Sequence, residues 1–381
     1  MDSIADLRSE FLLDPKIIYL NHGSFGACPR PVFETYQAWQ RKLELEPVQF
    51  LGVHAAEFLR TARGALAGYL GCQTDEVVYF ANPTTAVNMV VRSLHLQPGD
   101  EILTTDHEYG AMDRTWRFIC QRTGAKIVRQ PIPLPLAPPE QIAESIWSKV
   151  SPRTRLVFLS HITSQTALTL PVEAICARAR EAGILSIIDG AHAPGQIPLD
   201  LPSLGADLYT GACHKWLCGP KGSAFLFART EIQPVLDPLV VSWGWEAEEP
   251  SGSSFIDHHE WQGTRDLAPF LSVPAAIEYQ RSHDWPAIQA ACHDMAVAWR
   301  TRLNRALGQD PICGEDAFHQ MFAVQVPVSD PRAFQSHLFH EHNIEIPVFR
   351  WEDACWMRVS VQAYNRPSDF EALMEALDVL L

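Results

Sequence analysis

The sequence predicts an α/β fold: a large domain on a mostly parallel sheet covered by helices, followed by a smaller α+β C-terminal domain. Three observations carry this. From Glu76 to Phe227, short apolar runs alternate with stretches of helical periodicity. Polar residues collect directly after the ends of those runs, where sheets of this kind bind ligands. From Met321 onward, strand-like pieces are interleaved with helices in a shorter α+β pattern.

In chain order, Ile17–Leu20 reads as a short strand, and Asn21, His22, Gly23, Ser24 and Gly26 as a turn able to contact a ligand. Helices are predicted through Tyr36, Trp39 and Leu43 and from His54 to Leu70, ending near Gly71. The strand Glu76–Phe80 runs into a helix with Asn82 as N-cap and Pro83 at its first position. Thr84 and Thr85 add hydroxyls at a helix start that suits a phosphate. Glu101–Thr105 is a strand with Tyr109 just beyond it, a ring able to stack on a flat molecule. Strands follow at Lys126–Arg129, Arg155–Leu159, Ile184–Ile188, Asp207–Thr210 and Ser223–Phe227, with helices after Ile142 and Pro171. Thr163 follows the strand Arg155–Leu159. Pro234–Gly263 reads as irregular, then helices start near Pro269 and at Pro286. The C-terminal part reads as strand Met321–Val326, helix Pro331–His340, strands Ile344–Val348 and Trp356–Val361, and helix Ser368–Leu380. The expected division is an N-terminal arm at 1–25, a large domain at 26–268 and a small domain at 269–381.

Composition narrows the function. The formal charge of −15 argues against nucleic acid and anionic membrane surfaces, which reward basic patches. The apolar runs are too short to span a bilayer. Nine scattered cysteines without a CxxC pair fit a reduced, cytoplasmic protein, and the acidic N-terminus does not read as a signal peptide. His337, His340 and His342 do not share one helix face, so no metal site is expected.

The chemistry concentrates between Ile187 and Gly222. A buried strand ends in Asp189, and Lys215 follows in a turn rich in Gly and Cys. An acid and an amine held on neighbouring strands suit pyridoxal phosphate: the amine carries the cofactor as a Schiff base and the acid pairs with its pyridinium nitrogen. Lys215 lies between His214 and Trp216 in an apolar turn, where desolvation favours a neutral nucleophile. His192, three residues after Asp189, is placed to orient that acid. Arg358, within an apolar strand, suits an α-carboxylate.

At LNHGSFG, DGAHAPG, TGACHKWLCGPKG, QGTRD and RVSVQAYN the sequence resembles the class V aminotransferase family of pyridoxal-phosphate enzymes, and within it the isopenicillin N epimerase-like branch. The resemblance covers nearly the whole chain. It implies an aspartate-aminotransferase-like large domain with a seven-stranded-type sheet. It also implies that Lys215 bonds the cofactor, Asp189 meets the pyridine nitrogen and His192 supports the cofactor's oxygen or ring face. Tyr109 falls at the stacking ring, Thr84 and Thr85 at the phosphate turn, and Thr163 near the phenolic oxygen. His214 precedes the lysine as in relatives, while Ala212 stands where they often carry Ser or Asn. Thr264 matches a residue that reaches the phosphate from a second subunit, implying a homodimer with shared active sites. Arg358 matches the carboxylate anchor, and Asn21 and His22 are assigned to the substrate.

Reactions of this family start with removal of an α-proton by the freed lysine. Epimerisation then needs an acid on the opposite face, for which His22 and Tyr109 are candidates. Elimination of a sulfur leaving group, as in C–S lyases, and transamination are the alternatives. A cysteine desulfurase needs a nucleophilic Cys on a mobile loop, and Cys355, three positions before Arg358, is poorly placed for that. A cofactor-holding regulator without activity is disfavoured by the intact Lys215, Asp189 and Arg358.

Overall fold

Apolar side chains on both sides of short strands organise the fold, seen here in a computed structural model that describes residues 7–381. Residues 1–6, the first part of the expected N-terminal arm, lie outside the described residues. Strand β1 (Ile18–Tyr19) leads into a single helical turn, α1 (His22–Phe25), where a plain turn is expected from the sequence. Helices α2 (Arg30–Leu45) and α3 (Ala55–Leu70) follow, the second closed by Gly71 in the left-handed region.

The alternation then begins: β2 (Val77–Phe80), α4 (Pro83–Ser93), β3 (Glu101–Thr105), α5 (Gly110–Thr123), β4 (Lys126–Gln130), α6 (Pro139–Trp147), β5 (Thr154–Ser160), α7 (Val172–Glu181), β6 (Leu185–Asp189), α8 (Leu201–Leu204), β7 (Leu208–Ala212) and β8 (Ala224–Ala228). The seven strands form one sheet in the order β2-β8-β7-β6-β5-β3-β4. Six run in the same direction, and β8 runs antiparallel between β7 and β2. Successive residues face opposite layers. Val78, Phe80, Phe158 and Ile187 pack with Val87, Val90 and Trp116 of α4 and α5. Val77, Tyr79, Val157 and Ile188 join the larger core on the other face. Burial on both faces explains why these strands read as unbroken apolar runs.

Three departures from the sequence reading have local causes. Helix α9 (Ser254–Glu260) occupies part of the stretch read as irregular; Ser253 caps it by accepting the Ile256 amide. The single helix expected from Pro269 is two, α10 (Ala268–Leu271) and α11 (Val273–Ser282). Pro274 has no amide hydrogen for the helical ladder, and the Ser272 hydroxyl bonds back to the Ala268 carbonyl at 2.7 Å.

Helix α12 (Trp285–Leu307) leads to β9 (Met321–Gln325), α13 (Pro331–His342), β10 (Ile344–Glu345), β11 (Val348–Trp351), β12 (Ala354–Ser360) and α14 (Pro367–Leu380). The strand expected at 344–348 is thus divided, because Pro347 cannot donate to a ladder. Its first half pairs in parallel with β1, setting Tyr19 beside Glu345. The second half joins an antiparallel sheet of order β11-β12-β9, which holds Arg358 opposite Ala323. Helices α12 and α13 pack on this sheet. Among the described residues no helix is long and apolar enough to cross a membrane.

Two glycines fix the turn after β7. Gly26 has φ 70°, and a Cβ there would stand 2.1 Å from the His214 carbonyl oxygen. Gly195 has φ 83°, and a Cβ there would stand 2.1 Å from the Trp216 carbonyl oxygen. The turn bearing Lys215 is therefore held between two backbones that approach as closely as glycine allows.

Candidate active site

The Lys215 turn is pinned at both ends and along its length. The Cys213 amide donates to the Ser223 carbonyl at 3.1 Å, and the Gly219 amide to the Cys213 carbonyl at 2.8 Å. His22 reaches the Lys215 carbonyl at 3.0 Å, and Gln280 donates to the Trp216 carbonyl at 2.8 Å. These bonds hold the backbone and leave the lysine side chain to enter a cavity of about 170 Å³. Asp189, His192, His214, Tyr109 and Thr84 line the same cavity.

Lys215 Nζ lies 3.1 Å from His192 Nε2, and His192 Nδ1 accepts the indole N–H of Trp216 at 3.2 Å. Burial lowers the Lys215 amine to about 8; Arg358 adds to the shift and Asp189 opposes it. Asp189 is itself buried, which pushes its carboxyl up. The Ala191 amide, donating at 3.0 Å, and the charge of Lys215 pull it back. His214 donates from Nδ1 to the Ser223 carbonyl at 2.9 Å, and burial lowers its ring to about 4.

Across the cavity, Asn82 caps α4 by accepting the Thr85 amide at 2.8 Å and the Thr85 hydroxyl at 3.0 Å. Pro83 has no amide hydrogen, so the Thr84 amide and hydroxyl are what the helix start offers the cavity. Tyr109, 45% exposed, stands at the start of α5 as a wall. Arg358 is buried, and among the described residues it is ion-paired with no carboxylate. It donates to the Ser164 carbonyl and to Ser24 Oγ at 3.0 Å, while its Nε has no partner. Burial lowers this guanidinium to about 10. A buried, uncompensated cation of this shape fits a substrate carboxylate.

Not every residue singled out in the sequence meets here. His22 is enclosed behind the lysine turn, with Nδ1 accepting from the Tyr364 hydroxyl at 2.9 Å and Nε2 on the Lys215 carbonyl; it holds backbone and does not line the cavity. Asn21 donates to Glu345 at 3.1 Å and lines a neighbouring cavity of about 320 Å³. Thr163 is fully buried, its hydroxyl shared with Thr166 at 2.8 Å and accepting the Leu168 amide at 2.9 Å. The adjacent Ser164 lines the cavity instead. The Thr85 hydroxyl serves the cap, and Thr264 is exposed in the loop between α9 and α10. Cys355 is buried within β12, opposite Arg350.

Sequence reasoning missed Ser160, Ser164 and Glu108. Ser160 pairs in register with Asp189 and lines the cavity. Behind it, Glu108 accepts the Ser160 amide at 2.9 Å and hydroxyl at 2.7 Å, and burial pushes its carboxyl up to about 7. The one available signal was the position of Ser160 and Ser164 directly after an apolar run.

The donor set fits pyridoxal phosphate: a buried acid for a ring nitrogen, a half-buried amine of lowered basicity for an aldehyde, a capped helix start for a phosphate and an exposed ring for a flat face. Without cofactor, Lys215 is expected to be acylated by an amine-specific reagent with a midpoint near pH 8, against 10.5 for an ordinary lysine. Below that pH the protonated amine is inert. Mass spectrometry of the Lys215 peptide across a pH series measures it, and a midpoint near 10.5 contradicts the geometry.

The family model described as Aminotransferase class-V matches residues 18–373. The chain is 36% identical to the isopenicillin N epimerase of Amycolatopsis lactamdurans, over 99% of this chain and 98% of the relative. It is 29% identical to the putative L-cysteine desulfhydrase 1 of Oryza sativa subsp. japonica, over 100% of this chain and 86% of the relative. The crystal structure of the cysteine desulfurase CsdA of Escherichia coli shares the fold, with a TM-score of 0.82 at 23% identity, covering 100% of this chain and 98% of that one. The chain belongs to the class V aminotransferase family of pyridoxal-phosphate enzymes.

Proposed function

We propose that the protein inverts the α-carbon of an amino acid or amino-acid-derived substrate, an epimerisation of the isopenicillin N epimerase type. One observation carries the reading: a lysine held near neutrality and a buried acid line one cavity beside an uncompensated buried arginine. When bound, pyridoxal phosphate supplies the electron sink that makes an α C–H bond acidic. Asp189 keeps the proton on the ring nitrogen, Tyr109 covers a ring face, and Thr84, the α4 start and His214 hold the phosphate. His192 bears on Lys215. Arg358 takes the substrate's α-carboxylate and fixes which bond at the α-carbon faces Lys215, whose Nζ removes the proton. Of the two candidates for returning a proton from the other face, Tyr109 is favoured over His22 because it lines the cavity.

The assembly belongs to the same proposal. Thr264, exposed on its loop, is available to a second copy's phosphate site, so the working form is a homodimer with shared sites. Residues 26–268 form the cofactor-holding domain and 269–381 the domain that brings Arg358. A cytoplasmic location fits the nine free cysteines. C–S bond elimination is the second reading, favoured by the likeness to the desulfhydrase. A desulfurase with a persulfide on Cys355 is disfavoured, since that thiol is buried in a strand.

Incubation of the holoenzyme with single enantiomers in deuterated water separates these readings. Epimerisation gives deuterium at the α-carbon with loss of optical purity. Keto acid with released sulfide or thiol indicates elimination, and keto acid formed only with an acceptor indicates transamination. Replacing Arg358 by Ala is expected to raise KM about 10–150-fold, the equivalent of the ~1.5–3 kcal/mol of a charge-assisted hydrogen bond. An unchanged KM removes the carboxylate role.

A further inference from the structure

The hydrogen bonds around Lys215 carry direction as well as distance. An indole N–H can only donate. Trp216 Nε1 is 3.2 Å from His192 Nδ1, so Nδ1 is the acceptor and bears no hydrogen. Burial holds the His192 ring neutral, and the nearby Arg358 guanidinium adds to the effect. A neutral imidazole has one N–H, which is therefore on Nε2. Lys215 Nζ, 3.1 Å away, faces a donor. An ammonium has only donors to offer, whereas a free amine has a lone pair that accepts.

We propose that Trp216 is a positioning residue: its indole N–H locks His192 in the Nε2–H tautomer, and through that ring it holds Lys215 as the free amine. This rests on the reading of Lys215 as the amine that joins the cofactor, and adds what makes that amine available. The surrounding charges do not achieve the same selection. Asp189 favours the ammonium, and Arg358 disfavours it. Burial disfavours any charge, whichever way the His192 hydrogen points. The indole is well placed to impose a direction. Trp216 is fully buried, its ring lies 4.9 Å from that of His22, and its carbonyl is held by Gln280. A lysine that gains a proton loses its role as acceptor to Nε2–H, so the site favours passing that proton on.

The test is the pH profile of Lys215 acylation in the apo protein. Trp216→Phe keeps a buried ring and removes the N–H. Its midpoint is expected to rise by about one pH unit, which lowers acylation at neutral pH about tenfold. His192→Ala removes the relay and is expected to raise the midpoint as well. Adding Trp216→Phe to His192→Ala is then expected to move it no further. A midpoint unmoved in Trp216→Phe, or the same Trp216→Phe shift with and without His192, overturns the proposal. A measurement on the unaltered protein stands beside these variants. Nitrogen-15 NMR of His192 is expected to show its hydrogen on Nε2, and a hydrogen on Nδ1 overturns the proposal. Because these readouts need no cofactor, they remain valid if the cofactor proves to be bound elsewhere, a result that would defeat only the reading of the site.

Discussion

The structure depends on keeping one primary amine out of water without giving it a full counter-charge. Lys215 is half-buried, and its side-chain hydrogen-bond partner is a neutral imidazole and not a carboxylate. Asp189 acts on it from the cavity wall, where the Ala191 amide also takes part of that acid's charge. A direct ion pair would fix the lysine as an ammonium and remove its nucleophilicity. Desolvation alone would leave the amine's lone pair without a hydrogen-bond donor. The imidazole resolves this conflict, and the fold supplies the rigidity it needs. The close approaches at Gly26 and Gly195 and the bonds from His22 and Gln280 hold the lysine turn as part of the core.

Much of the architecture was legible because two-faced burial writes itself into sequence as short apolar runs. Asp189 was readable as a strand end, and Asn82 and Pro83 as a helix start, since both signals are local. The antiparallel β8 between β7 and β2 was not readable, because register and direction are set by partners far away in the chain. The breaks at Pro274 and Pro347 were written in the sequence, but each sits inside an otherwise periodic run that masked it.

The site was legible to the same extent. Residues on the ends of strands and helices landed in the cavity: Asp189, Tyr109, Thr84 and Lys215. Residues in tight turns did not follow from spacing. Thr163 and Ser164 are neighbours of similar chemistry, and only the turn closed by Thr166 and Leu168 decides which of them faces the cavity. Asn21 is drawn away by Glu345, 324 positions along the chain. His22 carries the right chemistry for catalysis, yet its two nitrogens serve Tyr364 and the lysine backbone. Conversely, no local pattern marks Glu108, which is a buried carboxyl behind Ser160.

The central claim is that Lys215 and Asp189 hold opposite ends of one pyridoxal phosphate. Borohydride reduction of the holoprotein, followed by peptide mass spectrometry, tests it most directly. The account predicts that the visible absorption band disappears and that the reduced pyridoxyl group is found on Lys215 alone. A pyridoxyl group on another lysine, or unaltered covalent capture in Lys215→Ala, would contradict it.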